Sequence, residues 1–452
     1  MLSKENVTCL TDPRTGSERG RLDNGGERDV AVAVAASRTA QPAWGSLVTR
    51  ERSARLLRLA ALMSEYAAQY AEAERAGTGK PLADAVAEVQ QCADVLSFYA
   101  GATRADLAPA AGGRLPGRES WVRWEPLGVV AAVVPWNYPL LMAMWRCAPA
   151  LAVGNTVVLK PAETTPDSAL LLADHARECL GADVLRVLPG DRRTGRLLVA
   201  SQVDMVAFTG SQRAGLDIAA RAGLRRVSLE LGGNCAAIVL PDAPVHTYDA
   251  LADACTYNAG QSCAAPARVI TLRENHQEVV EGLAKAMVGR RAGVHFGPLN
   301  SPAQAARYDR LVTATEAGIR YAGQIGARAE ESGGYWRPSL LLADLPADAP
   351  AVTEEVFGPV LTVQQADGVE EAVQLANGVP QALAASVWGD SVGRALSVAA
   401  RLNCGEVWVN CHLEQTAELP HGGRGGSGHG TDLSVLALGE YQRPKTVTVH
   451  LG

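Results

Sequence analysis

The chain is short of the charges that several function classes need. Only five of its 42 basic residues are lysine (Lys4, Lys80, Lys160, Lys285 and Lys445), and 48 acidic residues outnumber them all, giving a formal net charge of -6. No basic field exists to hold nucleic acid or an anionic membrane, so a small-molecule partner becomes the default. Disulfide chemistry is also poorly served. The nine cysteines are scattered without a Cys-x-x-Cys pair, and an odd count suits a reducing cytoplasm better than a disulfide framework. No residue is assigned to a metal. Long apolar runs are missing too: Leu127 to Pro135 and Ala148 to Val153 fall well below a bilayer span, and Met1 to Thr11 lacks the apolar core of a signal peptide. A soluble protein is expected. With 452 residues, 47% of them hydrophobic, there is room for two or three domains with substantial cores.

Hydrophobic spacing organises what is present. The first 30 residues are rich in Gly, Arg and Asp and read as surface, with a short strand as an option. Helical patterning follows over Arg28 to Ala40, Arg50 to Ala73 and Ala83 to Ala105, and Ala110 to Gly117 reads as a small-residue loop. Trp121 to Trp124 reads as a strand, and Leu127 to Val134 is a β-branched run of the kind buried on both faces of a parallel sheet. Helices and strands then alternate through Leu140 to Val153, Thr156 to Leu159, Asp167 to Leu180, Val184 to Leu188, Gly195 to Ala200, Met205 to Thr209, Arg213 to Ala222 and Arg226 to Leu231. That alternation predicts a doubly wound α/β sheet, with ligands at the carboxyl ends of its strands. A second α/β unit is expected from Cys235 to Asn403, and the terminal Lys445 to Leu451 reads as a strand with no partner nearby in sequence.

Reactive residues cluster beside the turns that follow these strands. Lys160 and Glu163 come after the second strand, where a dinucleotide fold places an acid on the adenosine ribose; a solvated loop pair would look the same. Thr209, Gly210 and Ser211 stand between a strand and a helix, where backbone N–H groups can face a pyrophosphate, although no G-x-G-x-x-G accompanies them. Cys263 follows Gly260-Gln261-Ser262 in a polar loop that could expose a thiolate, while a typical cysteine is inert packing. A thiolate attack also needs an oxyanion donor and a base. Asn137, in Pro135-Trp136-Asn137-Tyr138-Pro139, supplies an amide, and Glu230, before Leu231-Gly232-Gly233, supplies a carboxylate. A turn former and a surface charge are the alternatives.

Taken together, these motifs resemble the aldehyde dehydrogenase superfamily from about Asp12 to the C-terminus. The resemblance rests on six stretches in family order: Pro-Trp-Asn-Tyr-Pro, Gly154 to Glu163, Phe208-Thr209-Gly210-Ser211, Glu230-Leu231-Gly232-Gly233, Gly260-Gln261-Ser262-Cys263 and Glu354 to Pro359. It implies an α/β fold with two doubly wound domains, one for the cofactor (1–112 and 127–234) and one catalytic (235–410), plus a small β oligomerisation element and C-terminal segment (113–126 and 411–452). It implies a homodimer or homotetramer. It also implies that Cys263 attacks an aldehyde, that Asn137 and the Cys263 N–H hold the oxyanion, and that Glu230 activates the water that hydrolyses the thioester. The implied cofactor is NAD, with NADP possible. Pro135, Trp136, Lys160, Glu163, Gly195, Thr209, Gly210, Ser211, Leu231, Gly232, Glu355 and Phe357 are its implied contacts.

Substrate signals are finer. Tyr138 and Trp145 resemble part of the aromatic box with which betaine and aminoaldehyde dehydrogenases hold a cationic head group, the alternative being a core helix face. Leu419-Pro420-His421-Gly422-Gly423 resembles the bacterial γ-aminobutyraldehyde enzymes and adds His421 to the implied substrate residues. An ω-aminoaldehyde such as 4-aminobutanal is the implied substrate; betaine aldehyde or a neutral aliphatic or aromatic aldehyde are the alternatives. A CoA-acylating enzyme is disfavoured by Glu230, which such a route does not need, and a non-catalytic relative by the intact set of Cys263, Asn137 and Glu230. Departures from the family pattern are Asn234 in place of the commoner Lys, a shortened Val288 to Pro298, the Ala264-Ala265-Pro266 run and an expected absence of the opening strand.

Overall fold

Runs of Val, Ile, Leu and Ala that leave no room for a polar face build two sheets. In the computed structural model, which describes residues 6–105 and 111–452, Val129–Val133 lies wholly buried in the first of them. Its neighbours run in the order Leu185–Val187, Thr156–Lys160, Val129–Val133, Met205–Gly210, Arg226–Leu231, all parallel, with the short Gly428–His429 antiparallel at the edge. The first of these strands in sequence therefore has the second on one side and the fourth on the other. Connections leave it in opposite directions, which opens a crevice at the carboxyl ends, and Pro135-Trp136-Asn137 and Thr209-Gly210-Ser211 emerge there.

Helix Pro139–Ala152 starts directly after that crevice. Proline at its first turn costs no hydrogen bond, and every residue of the helix is buried. It packs against Leu82–Ala102 in the largest core cluster, where a fully enclosed side chain such as Leu140 or Leu96 contributes about 1.5–3 kcal/mol. The helix start is thereby fixed, and Asn137 and Tyr138 with it.

The second sheet has seven strands in the order Ile319–Ala322, Leu340–Ala343, Val360–Ala366, Pro266–Leu272, Cys235–Val239, Ala384–Trp388, Glu406–Val409. Only Ile319–Ala322 runs antiparallel. A third, antiparallel sheet joins Gly112–Leu115, Arg118–Pro126 and Gln442–His450. The terminal strand thus finds its partner within the chain, pairing from Gln442 opposite Pro126 to His450 opposite Arg118.

Three expectations change. An opening strand is present: Val7–Thr11 pairs with Glu18–Asp23 around a turn in which Gly16 takes φ +71. The second strand carries four charged residues and the two together bury only Leu10, so no apolar alternation reveals them. The helix expected over Arg50 to Ala73 is two helices, Thr49–Glu65 and Ala67–Thr78, that meet at Tyr66. The expected small-residue loop begins at Ala110, outside the described residues, and continues as the strand Gly112–Leu115.

Candidate active site

The loop that carries Cys263 is wound tightly. After helix Thr247–Thr256 the backbone passes through three consecutive left-handed residues, Asn258 (φ 47), Ala259 (φ 56) and Gly260 (φ 70). Only glycine fits the third position, because a Cβ there would lie 2.2 Å from the Gly358 carbonyl oxygen. Buried amides hold the turn: Gln261 Nε2 donates to Asn258 O at 2.9 Å, and the Asn300 N–H donates to Gln261 Oε1 at 2.8 Å. Cys263 then stands half-buried at the join of two cavities, of about 600 Å³ and 580 Å³, and lines both.

Asn137 is anchored to the same loop. Its Nδ2 donates to Gln261 O at 3.0 Å, while its carbonyl accepts from Asn258 Nδ2 at 2.9 Å and Lys80 Nζ at 3.2 Å. One amide N–H is thus spent on fixing the side chain, and the second has no protein partner among the described residues. Glu230, at the buried end of Arg226–Leu231, brings a carboxylate oxygen, the Cys263 sulfur and a His421 nitrogen within 4.8 Å of one another. Neither Glu230 oxygen has a hydrogen-bond partner among the described residues. Burial pushes the Cys263 thiol well above its ordinary value, and the Glu230 charge pushes it the same way.

The 580 Å³ cavity brings together Pro135, Trp136, Asn137, Thr209, Gly210, Ser211, Glu230, Leu231, Gly232, Glu355 and Phe357. A neighbouring groove of about 300 Å³ shares Pro135, Trp136, Thr209, Gly210 and Ser211 and continues to Lys160, Glu163 and Gly195. Lys160 is buried, with Nζ donating to Pro161 O at 2.5 Å and Gly190 O at 2.7 Å, whereas the Glu163 side chain is half-exposed and 4.0 Å from it. Ser211 caps helix Gln212–Ala222 through the Ala214 N–H. Glu355 Oε1 accepts from the Gly233 N–H at 3.0 Å, and burial raises its carboxyl to about 8. Phe357, itself at φ 56, meets Trp136 edge to face with ring centroids 5.5 Å apart. Every expected cofactor residue therefore lines one continuous crevice.

The 600 Å³ cavity lies on the other side of Cys263 and is lined by Tyr138 and Trp145. His421 is not among its lining residues. It is buried behind Trp145, ring centroids 5.2 Å apart, which separates it from the substrate role expected of it. Tyr138 is also less available than an aromatic box requires, since Lys80 Nζ sits 4.7 Å from its ring centroid and Tyr257 stacks at 6.3 Å.

The aldehyde dehydrogenase family model matches residues 2–447. The chain belongs to the aldehyde dehydrogenase family. It is 34% identical to the betaine aldehyde dehydrogenase of Bacillus subtilis (strain 168) over 98% of this chain and 94% of that relative. Among solved structures, betaine aldehyde dehydrogenase from Staphylococcus aureus in complex with NAD+ superposes with a TM-score of 0.94 at 28% identity, over 100% of this chain and 93% of the other. An NAD-dependent aldehyde dehydrogenase from Sinorhizobium meliloti superposes with a TM-score of 0.92 at 33% identity, over 100% and 92%. This aldehyde dehydrogenase is an oxidoreductase acting on aldehydes, with a nicotinamide dinucleotide as cofactor.

The crevice fits that cofactor on its own terms. Two cavities that share Pro135, Trp136 and Thr209 to Ser211 run on from Cys263 to Lys160 and Glu163, long enough for two linked nucleotides, and glycine at 232 keeps Glu355 in their lining, since a Cβ there would fall 2.1 Å from Glu355 Oε2. The reading of the sequence missed three residues around the site. Arg146, fully buried, ties helix Pro139–Ala152 to Phe208 O, Thr209 Oγ1 and Ser228 Oγ and pairs with Asp432 at 2.9 Å. Lys80 forms a buried ion pair with Glu88 directly beneath Asn137. Glu406 accepts from His421 Nδ1 at 3.0 Å. An isolated charge inside an apolar helix was the available signal for Arg146. Nothing in sequence spacing brings Glu406 to His421.

Proposed function

We propose that this aldehyde dehydrogenase oxidises an ω-aminoaldehyde, of the 4-aminobutanal type, to its acid with NAD, through covalent capture on Cys263. The single observation carrying the mechanism is the position of Cys263 where two cavities meet, one lined by the cofactor residues and the other by Tyr138 and Trp145. Aldehyde entering from the second cavity meets the sulfur, and the free Asn137 N–H with the Cys263 N–H takes the developing oxyanion without giving up a proton. Bound in the first cavity, the dinucleotide supplies a hydride acceptor. Glu230 then takes a proton from the water that hydrolyses the thioester. Lys160 and Glu163 hold the adenosine ribose, and the Glu163 charge disfavours a 2′-phosphate. Glu355 and Phe357 orient the nicotinamide end.

What supports a cationic substrate is the charge around the second cavity. Asp94 and Glu414 are exposed in its lining and have no ion-pair partner among the described residues, and no Lys or Arg lines it. The Bacillus subtilis relative is named for betaine aldehyde, also a cation. The test is kcat/KM for 4-aminobutanal against pentanal, its neutral counterpart of equal length. The reading expects about a tenfold or larger preference for the amine, shrinking in Asp94→Asn/Glu414→Gln. Equal values for the two aldehydes would refute the cationic assignment.

We also infer a homodimer or homotetramer working in a reducing cytoplasm. All nine cysteines are free thiols, and the three-stranded sheet leaves Trp124 and Val449 exposed. No helix among the described residues is long and apolar enough to cross a membrane.

A further inference from the structure

The mechanism above leaves a difficulty at Cys263 and does not use the most enclosed charged group beside it. The thiol is desolvated and faces the Glu230 carboxylate, both of which oppose a thiolate. His421 is 1% exposed, with Nε2 3.8 Å from Glu230 Oε1 and Nδ1 3.0 Å from Glu406 Oε2. Nε2 has no hydrogen-bond partner among the described residues. The ring is thus fastened at one nitrogen and points the other at the reacting pair.

We propose that His421, held by Glu406, is a positioning residue of the reaction: its ring brings a positive charge beside Glu230 and Cys263 and stabilises the thiolate when the thiol proton passes to Glu230. The Cys263 S–H bond breaks, an O–H bond forms on Glu230, and the electron pair stays on sulfur. Glu230 loses its charge as the sulfur gains one, so the net charge of Cys263, Glu230, His421 and Glu406 does not change. Once the sulfur is bonded to carbon, Glu230 releases the thiol proton to solvent; in deacylation it then takes a proton from the attacking water, the hydroxide oxygen bonds to the acyl carbon, and the C–S pair returns to a sulfur that again lies near the imidazolium.

The surroundings favour the charged ring. Burial works against the imidazolium, but Glu230 and Glu406 outweigh it and raise the group to about 9. Against the charged ring stands the Gln415 Nε2 donor, 3.0 Å from Nδ1, which also shares the Glu406 Oε2 acceptor at 3.5 Å. Asp432 pairs with His421 through the main chain, and its charge is met by Arg146 at 2.9 Å. Trp145 closes the remaining side. Glu406, on the first residue of a strand in the second sheet, thereby acts on a base at the end of a strand in the first.

The inference rests on Cys263 as nucleophile and Glu230 as base, and its test needs no turnover. The rate of Cys263 alkylation by iodoacetamide, read on the Cys263 peptide by mass spectrometry, is followed against pH in the NAD-bound enzyme. His421→Asn is expected to move the alkylation profile to higher pH and slow the reaction at neutral pH by about tenfold. Glu406→Gln, which keeps the imidazole, should shift it in the same direction, and Glu406→Asp should restore most of the native profile. Native profiles in both His421→Asn and Glu406→Gln would overturn the proposal. Loss of aldehyde oxidation in Cys263→Ala alongside native profiles in these variants would sink the imidazole's role and leave the nucleophile standing. Oxidation surviving in Cys263→Ala would sink both.

Discussion

On the proposed mechanism Cys263 must be accessible to two ligands at once and still ionise, and the side chains around it divide that work. Asn137 is locked by Gln261 O so that a second N–H stays free, while Glu230 has both oxygens unsatisfied and ready to accept. Cys263→Ala should therefore abolish aldehyde oxidation and leave NAD affinity within about twofold by calorimetric titration. Glu230→Gln should keep the amplitude of a pre-steady-state burst of NADH while slowing its rate, since the thiol loses its nearby proton acceptor, and should lower the steady rate by about a hundredfold or more; a burst of reduced amplitude would mean that hydrolysis of the thioester is not the step most dependent on Glu230. Glu163→Gln should narrow the preference for NAD over NADP, measured as a ratio of kcat/KM values, and an unchanged ratio would remove its ribose role. These residues were legible because each lies in a short motif with a glycine or proline two or three positions away. His421 was legible as special but not in its role, since the carboxylate that fastens it lies fifteen positions away in sequence and on the other sheet.

At the scale of elements, the site depends on ends and turns more than on the strands themselves. The strands Val129–Val133, Thr156–Lys160 and Met205–Gly210 were readable because buried parallel strands are written in unbroken apolar residues. The turn at Asn258, Ala259 and Gly260 was not, because three left-handed residues in a row have no compositional signature beyond the glycine. Gly260→Ala should cost ~1–3 kcal/mol from φ alone, and the contact with Gly358 O adds to it. Chemical denaturation together with the Cys263 alkylation rate would register both the lost stability and the displaced nucleophile. Native values for both would show that the turn does not set the sulfur's position. The N-terminal hairpin escaped notice for a different reason: its polar strands bury one side chain, so pairing rather than burial defines it.

Across the whole molecule, the buried ionisable groups make stability depend on pH in a definite direction. Folding raises Glu355 from 4.5 to about 8, so the folded state keeps a proton that the unfolded chain loses, and stability falls as pH climbs through that window. Folding raises His421 from 6.5 to about 9, so its contribution is complete below about pH 6.5 and lost as pH passes 9. The denaturation midpoint should drop between pH 6.5 and 9. His421→Asn should flatten the upper part of that fall and Glu355→Gln the lower part, and a midpoint that rises with pH in the native protein would contradict both assignments.

Covalent capture by one sulfur is the claim on which the rest depends, and trapping it is the most direct measurement. Glu230→Gln enzyme is mixed with NAD and betaine aldehyde, whose quaternary nitrogen cannot cyclise onto a thioester, then quenched in acid and mapped by peptide mass spectrometry. The account predicts one acyl group on the Cys263 peptide, formed in step with NADH and absent when NAD is withheld. NADH formed with no acyl group on Cys263, or with the group on another cysteine, would contradict it.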